Sequence, residues 1–236
     1  MFKLLERKYT CKSVIMTNNI KVVLFDLDNT LIDRQSAAVK LMKDIILEDF
    51  PEGNYSDEYR CELLDKLYKW DYEGHKPKEF SFRKYIEVTG IKGRDWQYYN
   101  NMWEKRLKDY TELFAKSIET LEYLRGKYRL AMLTNGSVIS QQGKLDTINI
   151  NEYFEEIVIS GTYQIHKPDK RIFQIVLDKL DVQPYEVVYV GDGLVNDVQG
   201  ALSMGMKAIW QYPHPNVDTD EPCQRIYRVE DLKTIL

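Results

Sequence analysis

The sequence predicts an α/β fold: a parallel sheet with helices on both faces, interrupted once by an all-helical insertion. Short apolar runs at 22–25, 130–133, 157–159, 187–190 and 208–210 alternate with helical periodicity, the pattern of buried parallel strands and crossover helices. Between the first and second runs, about eighty residues carry helical spacing and no strand pattern. Four of the runs end in polar residues, which places those residues at one edge of the sheet.

Taken in order, the first strand ends on Asp26-Leu27-Asp28-Asn29-Thr30. Val39, Met42, Ile45 and Ile46 then repeat at three and four, and Pro51, Gly53 and Asn54 break the helix. Ser56, Asp57 and Glu58 supply a cap and an acidic first turn, followed by Tyr59, Leu63, Leu64, Leu67 and Tyr68 on one face. After Gly74 and Pro77 comes a shorter helix marked by Phe82, Tyr85 and Ile86, which Gly90 stops. Trp96, Tyr99, Trp103, Leu107 and Tyr110 line a fourth.

From Ser117 the strand–helix alternation returns. Helices are expected on Ile118, Leu121 and Leu124; on Gln141, Leu145 and Ile148; and, after Pro168, on Ile172, Phe173, Val176 and Leu180. A further helix is expected from Asn196 to Met204, a last short strand over 226–229 and a terminal helix over 230–235. The domain division that follows is an N-terminal extension 1–16 without assigned function, a core of 17–32 and 115–236, and a helical insertion 33–114.

Composition confines the function. Of 236 residues, 44% are hydrophobic and 30% charged, as in ordinary globular proteins. A net charge of −4 gives no reason to expect a nucleic acid polymer as partner. Cys11, Cys61 and Cys223 form neither a disulfide framework nor a metal-ligand spacing, which suits a reducing cytoplasm. No apolar run reaches membrane length, and 1–16 lacks a signal-peptide core. A monomer or homodimer is expected.

Asp26 and Asp28 are the pair on which the chemistry turns. Two carboxylates one residue apart after a buried strand repel each other, and a hard divalent cation removes that conflict. The same sheet edge receives Thr134 and Asn135, Ser160 and Gly161, and Gly191 and Asp192, with Lys167 just after the third strand. Carboxylates, a hydroxyl, an ammonium and backbone N–H groups beside glycines suit Mg2+ and a phosphoryl group together. Tyr68, Trp70, Tyr72, Tyr98, Tyr99, Trp103 and Tyr110 have the spacing of helix packing, with base stacking as the second reading. Arg83 and His75 are polar candidates for a leaving-group contact, although each reads first as a surface residue.

Asp26-Leu27-Asp28-Asn29-Thr30, Leu133-Thr134-Asn135-Gly136, His166-Lys167-Pro168-Asp169 and Gly191-Asp192-Gly193-Leu194-Val195-Asn196-Asp197 resemble the four motifs of the haloacid dehalogenase-like hydrolase superfamily. Thr134-Asn135-Gly136 with Gln142, Lys144 and Leu145 is similar to its nucleotidase and acylneuraminate-phosphatase branch. Gly193, where relatives often carry a serine or threonine, and His166 depart from the pattern.

The resemblance implies a Rossmann-like core, a helical cap and a Mg2+-dependent phosphatase acting on a small phosphorylated metabolite, a nucleoside monophosphate or sugar phosphate. It implies Asp26 as nucleophile forming an aspartyl-phosphate and Asp28 as acid–base residue with a carboxyl pKa well above the ordinary value. Mg2+ would be held by Asp26, the backbone carbonyl of Asp28 and Asp192. Asp197 would orient Lys167 or a metal-bound water, or ligate the metal itself. Thr134, the Asn135 N–H and Lys167 would hold the transferring oxygens. Asp28 argues against the carbon–halogen chemistry of the dehalogenases, which lack it. A phosphomutase and a non-catalytic phosphometabolite-binding regulator are the alternatives on the same fold.

Overall fold

The computed structural model describes residues 19–71, 74, 76–211 and 220–236. The expectations placed on 1–16, on Cys11, and on Tyr72 and His75 lie outside them. β1 (Val22–Phe25) is apolar and fully buried. It leads into a turn where the Leu27 carbonyl accepts from Thr30, Leu31 and Ile32 N–H groups, with Asn29 at φ 57°. Asn tolerates that left-handed conformation better than most side chains.

Four helices follow: α1 (Arg34–Asp49), α2 (Asp57–Asp71), α3 (Lys78–Thr89) and α4 (Trp96–Arg106). Asp33 caps α1 by accepting from Ser36 N, and Gly90 at φ 67° ends α3. The helices share a core of their own that includes Leu41, Ile45, Leu63, Leu67, Phe82 and Tyr99. Buried Asp49 ties it together by accepting from the Tyr85 and Tyr99 hydroxyls, each at 2.8 Å, and from Arg94. Packing therefore accounts for most of the aromatic residues. Tyr68, Trp70 and Tyr110 lie against this core, while Tyr98 is exposed beside Arg94. Of the described aromatics singled out above, Trp103 lines the cavity treated below. Arg83 pairs with Glu79 on the surface and lies over Trp96, in keeping with its first reading as a surface residue.

The alternating part comprises α5 (Ser117–Arg125), β2 (Arg129–Thr134), α6 (Val138–Ile148), β3 (Glu156–Ile159), α7 (Ser160–Tyr163), α8 (Lys170–Leu180) and β4 (Val187–Gly191). It continues through α9 (Gly200–Ser203), β5 (Lys207–Gln211), β6 (Gln224–Ile226) and α10 (Leu232–Ile235). Among the described residues, six strands form one parallel sheet in the order β3-β2-β1-β4-β5-β6. Strand alternation splits the core into two layers. Val23 and Phe25 belong with Leu121, Leu124 and Leu232 on one face; Val22 and Leu24 belong with Phe173, Val176 and Leu180 on the other.

Two boundaries differ from expectation. A π-helical turn, Leu194–Gln199, replaces the first half of the helix expected from Asn196. The last strand ends at Ile226, and Val229 opens a tight helical turn. No described helix is long and apolar enough to cross a membrane.

β1 lies between β2 and β4, so the chain's two crossover directions diverge there. In open α/β sheets that switch point is where a crevice opens at the carboxyl ends of the strands. The four-helix block meets the core along α6, where the Lys108 side chain lies against Gly143, and residues of both parts line one cavity.

Candidate active site

Asp26 follows β1 directly, and its N–H is held by Val190 O of β4 at 2.9 Å. Lys167 reaches it from the loop after α7, with Nζ 2.7 Å from Asp26 Oδ1. The same ammonium meets Asp197 Oδ1 at 2.7 Å, the Tyr189 hydroxyl at 2.8 Å and the Leu133 carbonyl at 3.0 Å. Burial alone would lower the Lys167 pKa, but Asp197 and Asp26 outweigh it and raise it. Lys167 is thus a fixed buried cation.

Asp192 follows β4, its carbonyl accepting from Trp210 Nε1 at 2.7 Å. Asp197 is brought back onto the strand end by the π-helical turn, a distortion common at functional sites. Its Oδ2 accepts from Gly193 N at 2.8 Å. A Cβ on Gly191 would come within 2.6 Å of the Asp197 side chain, and one on Gly193 within 2.9 Å of Oδ2. Glycine at 193 therefore leaves room for the close approach of Asp197.

One carboxylate oxygen from each of Asp26, Asp192 and Asp197 lies within 4.8 Å of the other two. Burial pushes the Asp26 carboxyl up to about 7; Lys167 opposes that rise, while Asp197 and Asp28 add to it. Loss of solvent, then Asp197 and Asp26, lift Asp192 well above the carboxylate range. Three carboxylates against one ammonium leave negative charge in excess. An all-oxygen donor set with that excess fits a hard divalent cation such as Mg2+.

Asp28 stands apart from this cluster. Lys144 Nζ lies 2.6 and 2.7 Å from its two oxygens, and Gln141 Nε2 donates to Oδ2 at 3.0 Å. Burial would raise the Asp28 pKa, but Lys144 and Arg34 more than offset it and hold the carboxyl below its ordinary range. The expectation of a raised pKa is corrected on this point. The cause is a cation 116 positions away in sequence, carried by α6.

Thr134 is fully buried, and its hydroxyl accepts from Gln141 Nε2 at 2.5 Å, beneath the cavity wall. The Asn135 side chain braces the Lys167 backbone, accepting from its N–H at 2.9 Å and donating to its carbonyl at 3.1 Å. Ser160 accepts from Gly136 N at 3.0 Å, with His166 Nδ1 2.7 Å away. The unusual His166 thus joins the bracing of the turn that carries Asn135.

In the sequence, Gln141 reads only as part of a helix face, Lys144 only as part of the branch resemblance, and Tyr189 only within a strand; none is given a site role. Gln142, quoted there, pairs with Asp146 on the surface at 2.7 Å. The available signal was Lys144 itself, a lysine beside Leu145 on the apolar side of a core helix. Above these groups lies a cavity of about 600 Å3, whose floor includes Asp26, Asp28, Asn135, Lys167 and Asp192 and whose upper wall includes Arg34, Lys78 and Trp103.

The fold and this site define a class of protein. The family model for haloacid dehalogenase-like hydrolases matches residues 23–211, and the chain belongs to that family. Among its relatives, N-acylneuraminate-9-phosphatase of Mus musculus is 30% identical, covering 82% of this chain and 83% of that one. Glyceraldehyde 3-phosphate phosphatase of Methanopyrus kandleri is 29% identical, covering 92% and 97%. Among solved structures, a magnesium-bound HAD-hydrolase from Bacillus subtilis shares the fold with a TM-score of 0.77 at 21% identity, covering 92% of this chain and 98% of that one.

Proposed function

We propose that this chain is a Mg2+-dependent phosphomonoesterase of small soluble metabolites, with 33–114 as a cap over a catalytic core formed by 17–32 and 115–236. One observation carries the reading. Asp26, at the switch point of the sheet, shares Lys167 with Asp197 and a carboxylate cluster with Asp192. The family membership and the phosphatase relatives support it.

Asp26, Asp192 and Asp197 would hold the ion, with the Asp28 carbonyl as a further oxygen. Mg2+ bound there offsets charge between an anionic nucleophile and an anionic substrate. Asp26 attacks phosphorus; the ester bond to the leaving oxygen breaks, and an aspartyl-phosphate forms. Lys167 and the Asn135 N–H hold the transferring oxygens, while the Gln141 amide, donating to both, ties Thr134 to Asp28. The leaving alkoxide takes its proton from the Asp28–Lys144 pair. Water then attacks the phosphoryl group and returns that proton, releasing phosphate and restoring Asp26. The upper wall contributed by the cap keeps bulk water from the reacting atoms.

Purified protein assayed on p-nitrophenyl phosphate should turn over with Mg2+ and fall to background with chelator. Asp26→Asn should lose at least about a thousandfold in kcat, the scale of removing a nucleophile. Full activity in that variant would sink the assignment.

A further inference from the structure

The upper wall of the cavity contains charge that hydrolysis of a simple phosphate ester does not use. Arg34, at the start of α1, donates to Asp71 Oδ2 through both Nη1 and Nη2 at 3.1 Å. Lys78, at the start of α3, pairs with the same carboxylate. The side chains are 8%, 16% and 2% exposed for Arg34, Lys78 and Asp71. Two largely buried cations therefore share one carboxylate. Adding the two other charged residues of this wall, Lys76 and Glu104, leaves the surplus at one positive charge.

These groups are held in place. The Arg34 guanidinium lies 5.7 Å from the Trp103 ring centroid, and Lys78 Nζ lies 4.6 Å from it. Behind Arg34 the chain passes so close that a Cβ on Gly74 would meet the guanidinium carbon at 2.6 Å. Pro77 begins α3 without a side-chain cap and lines the same cavity. Arg34 and Lys78 line the same cavity as Asp26 and Asp28, so they share one space with the reacting end.

A buried surplus cation is costly unless a ligand supplies the missing charge. We infer that Arg34 and Lys78, over Trp103, form a second anion subsite, and that the substrate is a phosphomonoester whose leaving group carries a further anionic group, a carboxylate or a second phosphate. This deepens the phosphatase reading and rests on it. Neutral polyol and aldehyde phosphates leave the subsite uncompensated and are poorer substrates.

The test uses substrate pairs that differ in the second anion. In the carboxylate arm, 3-phosphoglycerate is compared with glycerol 3-phosphate; in the phosphate arm, fructose 1,6-bisphosphate is compared with fructose 6-phosphate. One arm or both should show kcat/KM at least about tenfold higher for the doubly anionic member, since a charge-assisted hydrogen bond is worth one to two decades. The arm that responds identifies the anion. Lys78→Met should bring that ratio towards one, and Lys78→Arg should keep it. Equal kcat/KM within both pairs, or an unchanged ratio in Lys78→Met, overturns the subsite.

Calorimetric binding of the same pairs to Asp26→Asn with Mg2+ gives a second measure that needs no turnover. At least about tenfold tighter binding of one doubly anionic ligand supports the subsite even if p-nitrophenyl phosphate is inert. Inert p-nitrophenyl phosphate would defeat the phosphatase reading alone. Equal affinities within both pairs would defeat the subsite alone.

Discussion

Asp28 shows how a residue's role is set by partners far away in sequence. Its carboxylate is clamped by Lys144 and Gln141, and removal of Lys144 leaves that charge mostly buried and unpaired. Lys144→Met should therefore lower stability by about 3 kcal/mol, read from urea denaturation, and lower kcat by about a hundredfold with less change in KM. An unaltered kcat would mean that the pair is structural.

Lys78 supplies a pH signature. Burial, then Arg34, lower its pKa from 10.5 to about 8, with Asp71 and Asp28 opposing. Between those two values the unfolded chain holds a proton that the folded chain has released. Stability should accordingly rise with pH across that window. In Lys78→Met this rise should flatten, measured as melting temperature from pH 8 to 10. Over the same interval the wild-type preference for a doubly anionic ligand should weaken, as Lys78 loses its charge.

At the scale of elements, the helical block depends on Asp49, which joins the end of α1 to Tyr85 of α3 and Tyr99 of α4. Truncating one buried acceptor strands three donors, counting Arg94. Asp49→Ala should cost about 3 kcal/mol and loosen the block before the sheet, seen as faster amide exchange in α3 and α4 than in β1 and β4. Gly90 at the end of α3 offers a smaller test. A Cβ there meets nothing within 4 Å, so only its positive φ resists substitution. Gly90→Ala should cost about 1 kcal/mol. The helices themselves were readable from spacing, because each buries one stripe. The π-helical turn at Leu194–Gln199 was not, because its extra residue per turn is imposed by Asp197 folding back over Gly191 and Gly193.

For the molecule as a whole, the carboxylate cluster predicts that metal binding and folding are linked. At one hundred times its dissociation constant a ligand adds about 2.7 kcal/mol, or roughly 5–10 °C in melting temperature for a chain of this size. Mg2+ should produce such a shift in the wild type and little in Asp192→Asn, by calorimetry. An equal shift in both would place the ion elsewhere.

The sequence by itself determined the α/β alternation, the helical insertion and the strand-end residues Asp26, Asp28, Asn135 and Asp192. Those features follow from local periodicity and from the rule that strand ends share an edge. Tertiary structure alone decided what each charge meets. Lys144 comes to Asp28 from α6, Tyr189 comes to Lys167 from β4, and Arg34 and Lys78 meet at Asp71. The physical reason is that a side chain's charge state and reach depend on through-space neighbours, and no period along the chain records them.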